Sequence, residues 1–235
     1  MQNFVDTQLA YYFNHFVHRY QTLDALIYQV AQGHFFKGGV LLSIITFAWF
    51  KVDVIDNAIK KRKFLMVFIV TIVAMLIARF LALCLPFRYR PLHDTDLQLQ
   101  APYSVQEWEL NGWSSFPSDH MALFFAISLS IYFIHKQLGR VALLYTAVVI
   151  GIPRLFLGFH YFTDELVGMA IGCFSAWLGY TYMLHSKVMD KLIEFQQQKP
   201  ACFYPLLVLF ISQLYEMFES ARELLKLPIK ALLQA

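Results

Sequence analysis

Apolar residues fill most of this chain, and the polar positions that interrupt them mark its organisation. In residues 1–32, Leu9, Tyr12, Phe13, Phe16, Tyr20, Leu23, Ile27 and Val30 recur at close to helical spacing. Asn14, His15, His18, Arg19 and Asp24 break the run. The segment therefore predicts one or two amphipathic helices lying in a membrane interface, not a span. His15 and His18 read as interfacial surface residues. Residues 35–50 form the first apolar run, with Lys37 near its start placed to snorkel. Further runs cover residues 64–86, interrupted by Arg79, then 119–134, 141–152, 165–184 and 202–218. Glu216 and Glu219 interrupt the end of the last. The expected fold is all-α, a polytopic membrane helix bundle with about five or six transmembrane helices. Three regions follow: amphipathic N-terminal helices over 1–34, a transmembrane domain over 35–219, and an amphipathic tail over 220–235.

Composition supports that class. The chain is 58% hydrophobic and 15% charged, against roughly 25% charged in a soluble domain. A net charge of +3 is too small for a nucleic-acid partner, and its basic residues sit in short loops, where they set topology. Loops 51–63, 135–140 and 185–200 hold five, two and three Lys/Arg, and the alternate loops 87–117 and 154–164 hold two and one. The first set is expected in the cytoplasm. Cys84, Cys173 and Cys202 are scattered in apolar context, which fits neither a disulfide framework nor metal-ligand spacing. No signal peptide, Gly-rich phosphate loop or internal repeat is expected.

The orientation puts three polar clusters on one outer face: Arg90-Pro91, Pro117-Ser118-Asp119-His120, and Arg154 to Asp164. Charges in or beside hydrocarbon are costly and usually have a task. If the chain is helical from His160 onward, Asp164 lies one turn away on the same face. It could then hold the imidazole in one tautomer and stabilise its charged form. Proline and serine favour a helix start at residues 117–118, and a helix N-terminus offers N–H groups to a phosphate. Arginines supply bidentate charge, and two histidines supply a nucleophile and an acid. The sum is a phosphoryl-transfer site with no metal cage and no cofactor. His93 and Asp94 read as plain loop residues, and Trp108 and Trp113 suit an interface.

These clusters resemble the signature motifs of the type 2 phosphatidic acid phosphatase superfamily of membrane lipid phosphatases, K-x6-R-P, P-S-G-H and S-R-x5-H-x3-D. Arg90-Pro91 matches the end of the first. Residues 117–120 match the second with Asp119 for Gly. Arg154, His160 and Asp164 match the third at full spacing, with Pro153 for Ser. The P-S-D-H form resembles the bacterial undecaprenyl-diphosphate phosphatase branch. The resemblance implies His160 as nucleophile forming a phosphohistidine, Asp164 orienting it, and His120 protonating the leaving oxygen. Arg90, Arg154 and Ser118 would hold phosphate oxygens, and no metal is needed. The motif lysine falls at Leu83, and Arg79, one turn earlier on the same face, is the expected replacement, ahead of Arg88. Asp119 stands near the substrate and needs a partner there.

The expected protein is a multi-pass enzyme of a bacterial plasma membrane. It would cleave undecaprenyl diphosphate, a substrate of cell-wall biogenesis, on the outer face. Its partners would be lipid phosphates and membrane lipids. Rivals are a phosphatidic acid or phosphatidylglycerol phosphate phosphatase, a lipid phosphotransferase, and a non-catalytic lipid-binding or transport protein.

Overall fold

The computed structural model describes residues 3–51, 58–106 and 109–215. The expected tail over 220–235, the end of the run at 218, and Trp108 lie outside the described residues. Those residues are helical with long connecting loops, and none is in a strand. Helices α1 (Phe4–Asn14) and α2 (Gln21–Gln32) come first. They are followed by α3 (Phe35–Lys51), α4 (Ala58–Cys84), α5 (Asp119–Ile134), α6 (Lys136–Phe156) and α7 (Phe162–Met183). Helices α8 (Lys187–Gln198) and α9 (Pro200–Tyr215) end the described chain.

Three helices, α4, α6 and α7, are long and apolar enough to cross a membrane. Helices α2 and α3, bent by 58° at their junction, pass the same test as a pair. Helices α5 and α9 are apolar but shorter. The apolar runs read from sequence thus fall on α3 to α7 and α9. One boundary differs. Arg154 was expected in a loop after residue 152, but α6 continues to Phe156. The five-residue hydrogen-bonding pattern over Thr146–Gly151 loosens the backbone just before Pro153. The helix therefore passes through a residue that would otherwise end it.

Helix α5 is the centre of the bundle and packs on α4, α6 and α7. Leu123, Phe124, Ile127 and Ile131 face α3, α4 and α6, while Ala126 joins the layer formed by α4 and α7. The seam with α7 is very close. A Cβ on Gly168 would lie 2.3 Å from the Ser118 carbonyl oxygen, and one on Gly172 the same distance from that of Ala122. Only small residues let two backbones approach this way in a membrane. Ser128 and Thr146 share a buried hydroxyl contact of 2.8 Å between α5 and α6. At the far end of the bundle Lys63 donates to the Phe133 carbonyl, and Tyr180 donates to that of Lys63. Arg62 pairs there with Asp190.

The N-terminal helices dock against the bundle. Val17 and Ala31 share a core with Val105, Phe156, Leu157 and Phe159. Helix α1 touches α6 and α7, and α2 touches α6. Phe4, Tyr11, Tyr12 and Tyr20 remain exposed on the outer side of this layer.

Candidate active site

The three sequence clusters meet at one end of the bundle, where α5 and α7 begin and α6 ends. Helix α5 starts at Ser118, whose hydroxyl oxygen accepts the Met121 N–H at 3.4 Å. The peptide bond before Pro117 is cis. The Ser118 N–H donates to the Asp164 carbonyl at 3.1 Å, which ties the second cluster to the third. Gly158 adopts φ +68° and receives the Leu92 N–H on its carbonyl at 3.0 Å. A side chain at 158 would strain that conformation, so glycine lets the 157–161 loop lie against the Arg90-Pro91 turn.

His160 lies just before α7, not within it. Helix α7 begins at Phe162, and Asp164 caps it by accepting the Tyr161 N–H at 2.8 Å. This changes the expected dyad. The carbonyl oxygen of Ser115, not Asp164, holds the imidazole, with His160 Nδ1 at 2.8 Å. The nearest Asp164 oxygen is 3.9 Å from Nδ1. A carbonyl only accepts, so Nδ1 carries the proton and Nε2 presents its lone pair. That lone pair faces Arg90 Nη1 at 3.4 Å. Burial, and then the Arg90 and Arg154 guanidinium groups, hold His160 well below the ordinary histidine range. The ring is therefore neutral at pH 7.

Arg90 is buried, and its Nη1 donates to the Phe159 carbonyl at 2.6 Å. Burial pushes its guanidinium down to about 10, with Asp119 and Asp164 acting the other way. It stays charged at neutral pH. Its Nε is buried with no hydrogen-bond partner among the described residues. Arg154, also buried, donates to the Ala31 carbonyl of α2 at 3.4 Å.

Arg79 donates to the Asp119 carboxylate and lies over the Trp113 ring at 5.4 Å. The other Asp119 oxygen receives His120 Nδ1 at 2.8 Å and the His120 N–H at 2.8 Å. The partner that Asp119 required is thus Arg79, which is not left free to take the place of a lysine at 83. Leu83 itself is 86% exposed. Asp119, His120 and His160 each offer a ligand atom within 4.8 Å of one another. A metal ion could be held by this set, although both histidine Nδ1 atoms already have acceptors.

Four further residues complete the site. Arg88 donates to Asp164 with one Nη and to Asp6 of α1 at 2.7 Å with the other, over the Tyr161 ring at 4.2 Å. Asp6 also accepts the Thr163 N–H at 2.9 Å and its hydroxyl at 2.6 Å. Glu165 is buried in the first turn of α7, and Arg154 is the largest charge acting on it. Lys37 is buried near the start of α3, and its charge is among those felt by His120. Of these, sequence reasoning named only Arg88, as the second choice for the motif lysine, and Lys37, as a snorkelling residue. Asp94, read as a plain loop residue, accepts the Tyr161 hydroxyl at 2.7 Å.

Comparison with known proteins identifies the family. Residues 63–187, just over half the chain, match the PAP2 superfamily, and the chain belongs to that superfamily. It is 43% identical over 63 residues to the bacitracin transport permease protein BcrC of Bacillus licheniformis, covering 27% of this chain and 30% of that one. It is 38% identical over 74 residues to YbjG of Escherichia coli (strain K12), named provisionally as an undecaprenyl-diphosphatase, covering 30% and 37%. A PA-phosphatase related-family protein of Dictyostelium discoideum is 39% identical over 70 residues, covering 30% and 12%. The matches thus span well under half the length of each relative. No solved structure matches the chain.

Proposed function

We propose that this PAP2-superfamily member is an integral-membrane lipid phosphatase that cleaves undecaprenyl diphosphate to undecaprenyl phosphate and inorganic phosphate. The observation that carries this reading is the His160 ring. Its Nδ1 proton is committed to the Ser115 carbonyl, and its Nε2 lone pair is turned to the buried Arg90 guanidinium. A neutral imidazole aimed at a fixed cation is what attack on a bound phosphate requires.

In this mechanism Arg90 and Arg154 hold the terminal phosphate. Ser118, already engaged at its hydroxyl, shapes the start of α5. Nε2 of His160 forms a bond to phosphorus as the bond to the bridging oxygen breaks. His120 gives its Nε2 proton to the departing oxygen. Asp164, 3.9 Å from Nδ1, then faces the cationic phosphohistidine and stabilises it. Water adds to phosphorus, its proton returns to His120, the N–P bond breaks, and phosphate leaves. The basic ends of α4 and α8 lie opposite this site, which supports placing the site on the outer side of a bacterial plasma membrane.

The name of the Escherichia coli relative favours the diphosphate substrate. The name of the Dictyostelium relative favours a second reading, hydrolysis of phosphatidic acid. Phosphate release by purified protein in detergent, with excess chelator, separates them. Undecaprenyl diphosphate, phosphatidic acid and phosphatidylglycerol phosphate are run side by side. The expected result is chelator-resistant release, fastest from the diphosphate, with a loss on the order of 10³-fold in His160→Ala. Unchanged release in that variant would overturn the phosphohistidine reading.

A further inference from the structure

We propose that Lys37, on the elbow between α2 and α3, holds the second phosphate of a lipid diphosphate and so sets the preference of the site for a diphosphate head; this rests on the phosphatase reading above. The elbow is bent by 58° and is fastened to α6 at two levels. The Ala31 carbonyl accepts from Arg154 at 3.4 Å, and the Phe36 carbonyl accepts the Tyr145 hydroxyl at 2.6 Å. Lys37 follows Phe36 directly. Its N–H donates to the Gly33 carbonyl at 3.1 Å, which closes the first turn of α3. The residue is 6% exposed. A cation buried among apolar helices is costly, and such residues mark the path or the seat of a charged substrate.

The arginines at this end of the bundle divide into two kinds. Arg79 is bonded to Asp119, and Arg88 to Asp164 and Asp6, so their charge is answered within the protein. Arg90 and Arg154 donate to carbonyls, which answer none of it. Those two hold the terminal phosphate in the mechanism above. A lipid diphosphate brings a second phosphate, bonded to the oxygen that departs. In that mechanism His120 faces the departing oxygen, and Lys37 is among the charges that act on His120. The cations that act most on His160 are Arg90 and Arg154. Lys37 therefore stands on the leaving-group side. There a phosphate monoester presents a neutral glycerol, and a diphosphate presents an anion. An ammonium is a compact point charge that can meet a phosphate oxygen without a bidentate geometry. Lys37 lies outside residues 63–187, the part matched to the superfamily. The N-terminal helices thus take part in substrate choice, while the catalytic histidines come from the matched part.

Two soluble anions test this without turnover. Inorganic phosphate fills one position, and inorganic diphosphate fills both. Each is titrated, with excess chelator, into His160→Ala protein in detergent, so that the diphosphate is not consumed. The rise of the unfolding midpoint gives its Kd. Lys37→Met in that background keeps the apolar stem and removes the charge. It should weaken inorganic diphosphate about 10²-fold, the loss of a hydrogen bond between charged groups. Inorganic phosphate, held by Arg90 and Arg154, feels Lys37 only from a distance and should weaken about tenfold. Lys37→Gln should give the same ratio, and it takes the place of Lys37→Met if that variant does not fold. With His160 intact, kcat/KM for undecaprenyl diphosphate should fall about tenfold further than that for phosphatidic acid. Both are read from one preparation, so the ratio is independent of the folded fraction. Equal weakening of the two anions would overturn the inference. So would protein with Lys37 intact that binds diphosphate no more tightly than phosphate. If the anions bind as expected and no lipid releases phosphate, the phosphatase reading fails and the anion site at Lys37 stands.

Discussion

The carboxylate of Asp6 is expected to couple the N-terminal helix to catalysis. It is fully buried and accepts from Arg88 at 2.7 Å, from the Thr163 N–H at 2.9 Å and from the Thr163 hydroxyl at 2.6 Å. In Asp6→Ala all three donors lose their acceptor. A hydrogen bond to a charged group is worth about 1.5–3 kcal/mol and a neutral one about 1 kcal/mol. Water reaches Arg88, whose side chain is 25% exposed, so that pair is discounted to near zero, and the two Thr163 bonds to the carboxylate, at about 1.5 kcal/mol each, total about 3 kcal/mol. For a chain of this size that corresponds to a fall of about 6–12 °C in the unfolding midpoint. Tryptophan fluorescence in detergent would follow it. Asp6→Asn keeps an acceptor for Thr163 but loses the charge, and should show about half the fall. Arg88 would also relax on Asp164, so kcat should drop about tenfold with little change in KM. An Asp6→Ala midpoint within about 2 °C of wild type, with kcat unchanged, would refute the reasoning.

Two other predictions concern charge. Because the folded pKa of His160 is held below its unfolded value of about 6.5, the unfolded chain binds the extra proton first as pH falls. The associated stability is present above pH 6.5 and is lost below it, by at most about 1.4 kcal/mol per pH unit. The unfolding midpoint should therefore fall more steeply from pH 7 to 5.5 in wild type than in His160→Gln, and parallel curves would contradict the burial argument. Lys37→Met should weaken inhibition by inorganic phosphate about tenfold. Leu83→Lys added to that variant should restore nothing, since residue 83 is exposed outside the buried site, and its rescue would show that the lysine position is reachable.

The helical class and the position of each apolar run were legible because burial in hydrocarbon leaves a long, simple pattern. The meeting of Arg90, His120 and His160 at one end was legible too, because alternating helices carry loops to alternating ends. Two kinds of detail were not. Asp6 looked like one more polar residue on an amphipathic helix, since nothing local signals a partner 157 positions away. The partner of His160 was misassigned because spacing cannot see backbone carbonyls. The four-residue interval between His160 and Asp164 suggested a shared helical face, yet α7 starts after His160, and Ser115 supplies the acceptor. Arg79 and Asp119 each broke a local rule in an apolar or anion-facing setting. That double breach was the one available clue that they belong together.

The seam where Gly168 and Gly172 meet Ser118 and Ala122 has a mechanical consequence. His120 projects from one side of that contact, and the loop carrying His160 is bonded to the other. With backbone against backbone there is no compressible layer between them. Stretching or thinning of the surrounding bilayer would be expected to tilt the outer helices before it altered the gap between the two histidines. Under the proposed mechanism, the spacing of the two histidines would thereby be set by this rigid contact and not by the surrounding lipid.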